Sequence, residues 1–463
     1  MKYFIFTYSG HGLPLAMHLQ HEGREVLVGQ VEKKAEVLCS IEKNQDMEDE
    51  GKKDRRLSLY EGLIPKMSAD DLVNHLLKEK HPEECFVFFD INNLFHYADK
   101  LRDKGFHGNF PTEDNVLLEV DRARAKSVVD ENYPKLQSAM TKKFKKAKEA
   151  ISFLETTGEL WVLKGEDDLA RVVVPTVTDI TMASHQLIQE LSGNPHAYES
   201  SGFILELYVP HLIELTPEKI YYNGKPVCTT VDIENKPMGS GNIGPQTGCS
   251  QDLVFATDLR APINEIAFPA WVDELAKNHE GLFVWDASLL IDERTGSMYF
   301  GEYCPNRFGY NSLLTECALA GSVSSFFEAL VVGRNPFSPD AVGVSVRLFN
   351  YLEDENGLAL AGRGVEYNTE AKDSLWLWDV KSSKNGAVTC GLDKNLGVAT
   401  GVGHSVEEAA KKAYDSIENF SFEGIYYRPM FDLLSTQYSS SLMNRLTYGL
   451  KNNLYKANFK HTA

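Results

Sequence analysis

Short apolar runs recur along the chain, separated by turns or by amphipathic stretches. Lys2–Thr7 is apolar and aromatic, Ser9-Gly10-His11-Gly12 is a turn, Leu13–His21 has a helical pattern, and residues 25–30 form a second strand. Strand, glycine turn, helix and strand in that order open a parallel α/β sheet. Such a turn can hold a phosphate on its backbone N–H groups, although two glycines also serve a turn alone. Residues 31–57 are highly charged and read as a solvated surface segment. Residues 85–90 (CFVFFD) form a buried strand, with a helix over about 93–104. Residues 113–160 read as charged and helical, 161–164 and 172–174 as short strands, and 180–192 as a helix. Residues 203–208 and 219–230 are strands, with Asn223-Gly224 as a hairpin turn. Residues 238–250 are rich in Gly, Asn, Ser and Gln and read as a loop. Residues 283–291 and 297–303 read as a second hairpin, 313–331 as one helix, and 334–341 as a linker. The rest is a small α+β unit whose helix, 406–419, starts with Ser405 and Glu408 at capping-box spacing.

Composition narrows the function. The 463 residues are 43% hydrophobic and 24% charged, which excludes wholesale disorder. The net charge of −19 argues against a nucleic-acid surface, but not against a local nucleotide site. No run approaches the ~18 apolar residues of a membrane span. Seven scattered cysteines with no CxxC pair indicate neither a zinc site nor a disulfide framework, and a reduced, cytoplasmic protein is expected.

Four segments carry candidate chemistry. Arg122 and Lys126 stand four apart on one helix face. Lys164 ends an apolar strand. Glu206 lies in the strand-end segment 205–210 and is followed by Glu214. Glu302, Asn306 and Arg307 bring carboxylate, amide and guanidinium to another strand end. Each taken alone is an ordinary surface charge or ion pair. Together they offer cations for a triphosphate, backbone for an adenine and oxygen ligands for Mg²⁺, which takes one or two carboxylates beside substrate phosphates.

The order of these segments resembles the phosphoribosylamine–glycine ligases of the ATP-grasp superfamily. Residues 403–414, 417–418 and 422–428 are similar to the family's C-terminal helix and its Phe-Glu-Gly-x-x-Tyr-Arg run. Gly244-Pro245-Gln246-Thr247-Gly248 resembles its Gly-Pro-Asn-Thr-Gly loop. Phe110-Pro111-Thr112 with Leu118-Glu119 resembles its Gly-Pro-Thr…Leu-Glu segment, and residues 302–309 its Glu-Phe-Asn-x-Arg-Phe-Gly. The resemblance implies an N-terminal parallel α/β domain (1–115) and an ATP-grasp domain (116–335) with a lid-like part at 140–212. A small C-terminal α+β domain (336–430) completes the resemblance; the tail (431–463) extends past it, and its spaced Leu and Tyr residues suggest a helix packed on the body or a partner contact. It implies an ATP- and Mg²⁺- (or Mn²⁺-) dependent ligase that joins a small-molecule carboxylate to an amine through an acyl phosphate, as in purine biosynthesis. By position, Arg122 and Lys164 match phosphate-binding lysines, and Lys164 and Arg307 carry the catalytic roles. Glu206, Leu207, Tyr208 and Val209 match the adenine-reading strand, and Glu214 the ribose carboxylate. Gly10, Gly12, Gly244, Pro245, Thr247 and Arg307 match the substrate side, and Glu302 and Asn306 the metal ligands.

The departures are specific. The glycine-rich phosphate loop is replaced by 165–171, with one glycine and three acids. An extra residue separates Glu302 from Arg307, so a bulge at Cys304-Pro305 is expected to return Asn306 to the ligand position. The family's Gly-Asp-Pro-Glu is Gly309-Tyr310-Asn311-Ser312 here, and its Gly-Arg-Glu-His is Gly10-His11-Gly12-Leu13. Three readings stay open: a phosphoribosylamine–glycine ligase, a ligase for another acid and amine, and a non-catalytic relative.

Overall fold

The computed structural model describes residues 1–40, 50–165, 172–200, 202–209, 212–368, 371–437 and 441–461, with the side chains of Arg122 and Ala123 outside that description. The chain divides into two compact units. One comprises 1–116, 215–287 and 304–463, the other 117–214 and 288–303.

The first unit begins with a five-stranded parallel sheet. Lys2–Thr7 lies between Val26–Gln30 and Cys85–Phe89, with Lys66–Ser68 and His107–Gly108 at the edges. The central strands are buried along their length, so residues 3–6 and 85–89 are continuous apolar runs rather than alternating. The segment read as solvated contributes more than surface. Its helix Glu50–Ser58 buries Arg56, whose guanidinium donates to the carbonyls of Val31 (2.8 Å) and Glu32 (3.1 Å).

A second, antiparallel sheet carries the rest of this unit. Its strands run in the order Leu212–Tyr222, Lys225–Gly239, Ile243–Thr257, Val342–Asn350, Asn395–Gly403, Leu375–Leu377. Asn223 and Gly224 both have positive φ (46° and 73°), as the tight turn between the first two strands requires. The polar stretch read as a loop is the far end of a long hairpin, turning only at Ser240–Asn242. The expected single helix over 313–331 is two, Tyr310–Leu319 and Val323–Leu330. Gly321 at φ 87° ends the first, and the Ser322 hydroxyl caps the second. Ser405 caps the helix Val406–Glu418, whose approach to the strand Asn395–Gly403 needs a glycine at 401. A Cβ there would stand 2.1 Å from the Ala409 carbonyl oxygen. The tail helix Leu442–Lys451 buries Leu442, Met443 and Leu446.

In the second unit, residues 113–160 are only partly helical. Helices Arg122–Asn132 and Ala147–Leu154 enclose the short strands Gln137–Ser138 and Thr141–Phe144. A three-stranded antiparallel sheet places Phe203–Leu207 between Thr141–Phe144 and Trp161–Gly165. Trp161, Leu163, Phe203 and Leu205 pack on the helices Ala147–Leu154 and Ile180–Gly193.

Candidate active site

Alternation along these strands decides what faces outward. With Leu163 and Leu205 committed to the core of the second unit, Lys164 and Glu206 fall on the opposite face. The register pairs Val162 with Glu206 and Lys164 with Ile204, so the two charged residues are diagonal neighbours. The Lys164 ammonium donates to Glu206 Oε1 at 2.5 Å. Lys126, from the helix Arg122–Asn132, donates to the other oxygen, Oε2, at 2.7 Å. It donates further to the Ala139 carbonyl (2.9 Å) and to the Thr141 hydroxyl. The Glu206 side chain is 4% exposed. Burial pushes its pKa up, but the charges and hydrogen bonds of Lys164 and Lys126 outweigh it and hold the carboxyl below its usual range.

A narrow cleft opens beside this triad, lined by Glu119, Lys126, Glu206 and Glu302 with Phe300 and Tyr303. It therefore combines cationic donors with carboxylate oxygens. Among the described residues, no group of three His, Cys, Asp or Glu side chains is placed to hold a metal ion. The oxygen donors present fit Mg²⁺ only as a metal that shares its shell with a phosphorylated substrate.

Of the two cations predicted on one helix face, Lys126 is in the cleft. Arg122 opens the helix, and its side chain lies outside the described residues, as do residues 166–171 of the phosphate-loop segment. The Leu207 and Tyr208 amides donate to the carbonyls of Met140 (2.8 Å) and Leu160 (2.9 Å). A purine could use only the other backbone groups of 206–209. Glu214 accepts from the Ser288 hydroxyl at 2.6 Å. Glu302 belongs to the second unit and Asn306 to the first. The strand Met298–Pro305 includes Cys304 and Pro305, and the departure from extended geometry falls at Asn306, with φ 54°. The Asn306 amide donates to the Val284 carbonyl at 2.5 Å, while its side chain is buried with neither polar atom hydrogen-bonded.

In the first unit, the glycine turn is closed from within. Gly10 N–H donates to the Thr7 hydroxyl (2.8 Å) and Gly12 N–H to Asp90 Oδ2 (2.9 Å). Those amides are therefore used by the protein itself. Burial lifts the Asp90 carboxyl to about 6 against the hydrogen bonds it accepts. A Cβ on Gly10 would meet Leu59 at 2.6 Å and Trp378 Nε1 at 2.9 Å. The His11 ring lies between Tyr310 (5.3 Å) and Trp378 (6.1 Å). Burial, then the Arg307 and Arg347 charges, depress its pKa to about 3 and keep it neutral. Gly244 and Pro245 are exposed on the long hairpin, and the Thr247 carbonyl accepts from Arg347 at 2.5 Å. The sequence offers Lys126 beside Arg122 as a phosphate cation and marks His11 as a departure, whereas Arg347 and Asp90 stand out only in the structure. The available signal was a lone cation at position 347 inside the otherwise uncharged strand Val342–Asn350.

No family model matches the chain. It is 27% identical over 397 residues to a protein named phosphoribosylamine–glycine ligase from Neisseria meningitidis, covering 79% of this chain and 88% of that one. A second of that name, from Pseudomonas aeruginosa, is 23% identical over 364 residues, covering 72% and 78%. The structure superposes on phosphoribosylamine–glycine ligase from Thermotoga maritima with a TM-score of 0.64, 15% identity and 92% and 99% coverage. It also matches N5-carboxyaminoimidazole synthase from Aspergillus clavatus, solved with ADP and 5-aminoimidazole ribonucleotide (TM-score 0.52, 12% identity, 90% and 97% coverage). The fold is the ATP-grasp fold, and the sequence relationship to the phosphoribosylamine–glycine ligases is a distant one.

Proposed function

We propose that the protein is an ATP-dependent carboxylate–amine ligase, most similar in function to phosphoribosylamine–glycine ligase. The observation that carries this reading is the Lys126–Glu206–Lys164 triad beside the carboxylate-lined cleft, in a chain whose relatives bear that name. Lys126 and Lys164 bind the ATP phosphates, the segment 206–209 faces the adenine, and Glu214 faces the ribose. Glu302 would hold Mg²⁺ together with oxygens of the bound phosphates, Asn306 is a further candidate ligand, and the ion would supply charge to offset that of the phosphates. A substrate carboxylate oxygen forms a bond to the γ-phosphorus as the bond to ADP breaks. The amine nitrogen then attacks the acyl carbon, phosphate leaves, and the nitrogen loses its proton. Positioning and charge stabilisation supply the catalysis, so no nucleophilic side chain is needed. The replacements at Tyr310, Asn311 and His11 favour an acid and amine other than glycine and phosphoribosylamine.

Mg-ATP at ten times Kd should stabilise the protein by about 1.4 kcal/mol. Lys164→Ala should remove that shift while the unliganded protein still unfolds cooperatively. A parent melt unmoved by millimolar Mg-ATP would overturn the reading in favour of a non-catalytic relative. Complementation of a purine auxotroph separates the two choices of substrate.

A further inference from the structure

Arg347 is a cation whose hydrogen bonds all go to neutral groups. Its guanidinium donates twice to Asn311 Oδ1 (3.1 and 2.6 Å) and once to the Thr247 carbonyl (2.5 Å), and it lies 5.3 Å from the centre of the Tyr310 ring. Two carboxyls, one of them buried, feel its charge but accept hydrogen bonds from other groups. Asp252 accepts from Ser345 N–H (2.9 Å), and Asp393 from Asn395 N–H (2.5 Å). Guanidinium groups held by uncharged partners keep their charge available for an incoming anion.

The surroundings point the same way. The Arg307 charge, like that of Arg347, adds to burial in keeping His11 neutral. Trp378, whose ring is 6.1 Å from that of His11, is 2% exposed, and its indole N–H has no acceptor among the described residues. An orphaned buried donor costs stability unless a ligand supplies the acceptor. Tyr310 and Asn311, which orient Arg347, stand where the resembling family has Gly-Asp-Pro-Glu, so an acidic stretch has become a support for a cation. His11 likewise stands where that family has arginine, and here Arg347 brings the guanidinium charge to the turn from another strand.

We infer that Arg347, oriented by Asn311 and Tyr310, is a specificity-determining residue that binds an oxyanion group, carboxylate or phosphate, of the substrate. The inference deepens the proposed ligase function but rests on groups of the first unit alone.

Binding of ribose 5-phosphate, inorganic phosphate and succinate to the full chain, measured by calorimetry, tests it. The parent should bind at least one of these probes, and the stronger of ribose 5-phosphate and succinate identifies the oxyanion as phosphate or carboxylate. Arg347→Met should weaken that binding about ten- to a hundredfold, and Arg347→Lys less. Asn311→Asp keeps the shape but supplies the guanidinium with a carboxylate, and should weaken binding similarly in a protein that melts like the parent. This second variant decides the matter if Arg347→Met does not fold. Mg-ATP binding, measured on the same samples, should be unchanged in all three variants, and its absence from the parent would count against the ligase reading alone. Failure of the parent to bind any of the probes, or equal binding by parent and Asn311→Asp, would overturn the inference.

Discussion

Glu206 bridges two largely buried ammonium groups, and its removal takes from each the carboxylate oxygen it donates to. Glu206→Gln should destabilise the protein by about 3 kcal/mol at neutral pH, the scale for breaking a buried pair from one side. The folded carboxyl titrates below its ordinary value of 4.5, so its contribution is full above that pH and is lost as pH falls through the folded value. Urea titrations of parent and variant should therefore differ at pH 7, and the difference should shrink as pH falls below 4.5. At this scale Lys164 was legible in the sequence, because a charge ending an apolar strand has one direction in which to leave the core. Lys126 is legible only as one of two cations on a helix face, because its partner Glu206 lies eighty residues on and meets it only in the folded unit. Arg347 was less legible still, because its partners Thr247 and Asn311 are far from it in sequence and meet it only across the sheet.

Elements whose ends carry their own chemistry are legible in the sequence, as are the apolar strands Lys2–Thr7 and Cys85–Phe89, whereas breaks inside apolar runs and strands of polar residues are not. The Asn223-Gly224 turn and the Ser405 cap are local devices, and both are present in the structure. The break at Gly321 was hidden by the unbroken apolar character of the segment around it. The strands at 243–257 were hidden by the polar residues at the end of their hairpin, which extends into solvent. Helix-on-strand packing supplies a test at this scale. Gly401→Ala places a methyl group against the backbone of Ala409 and Ala413, neither of which is a flexible side-chain end. The helix must move off the strand, and a loss of about 2–3 kcal/mol is expected in chemical denaturation. At Gly321 the same substitution meets no atom within 4 Å and costs only the strain of positive φ, about 1 kcal/mol.

Across the whole molecule, the acidic balance of −19 extends into the interior. Glu218 faces Thr230 across two strands, and the Thr230 hydroxyl donates to Glu316 at 2.8 Å. Burial, with Glu316 beside it, raises the Glu218 carboxyl well above its normal range, and burial lifts Glu316 to about 7. The folded protein thus keeps protons that the unfolded chain releases near 4.5, and stability must fall as pH rises through about 7. The parent should melt lower at pH 8 than at pH 6, and Glu316→Gln should flatten that slope; an unchanged slope would place the titrating group elsewhere. The division of the chain also has a consequence for its synthesis. The second unit is complete once residue 303 has left the ribosome, whereas the first, begun at residue 1, cannot close until the tail helix Leu442–Lys451 has been made. For most of translation the parallel sheet of the first unit waits for partners encoded hundreds of residues later. Its exposed apolar strands make it the part of the nascent protein with most need of a chaperone.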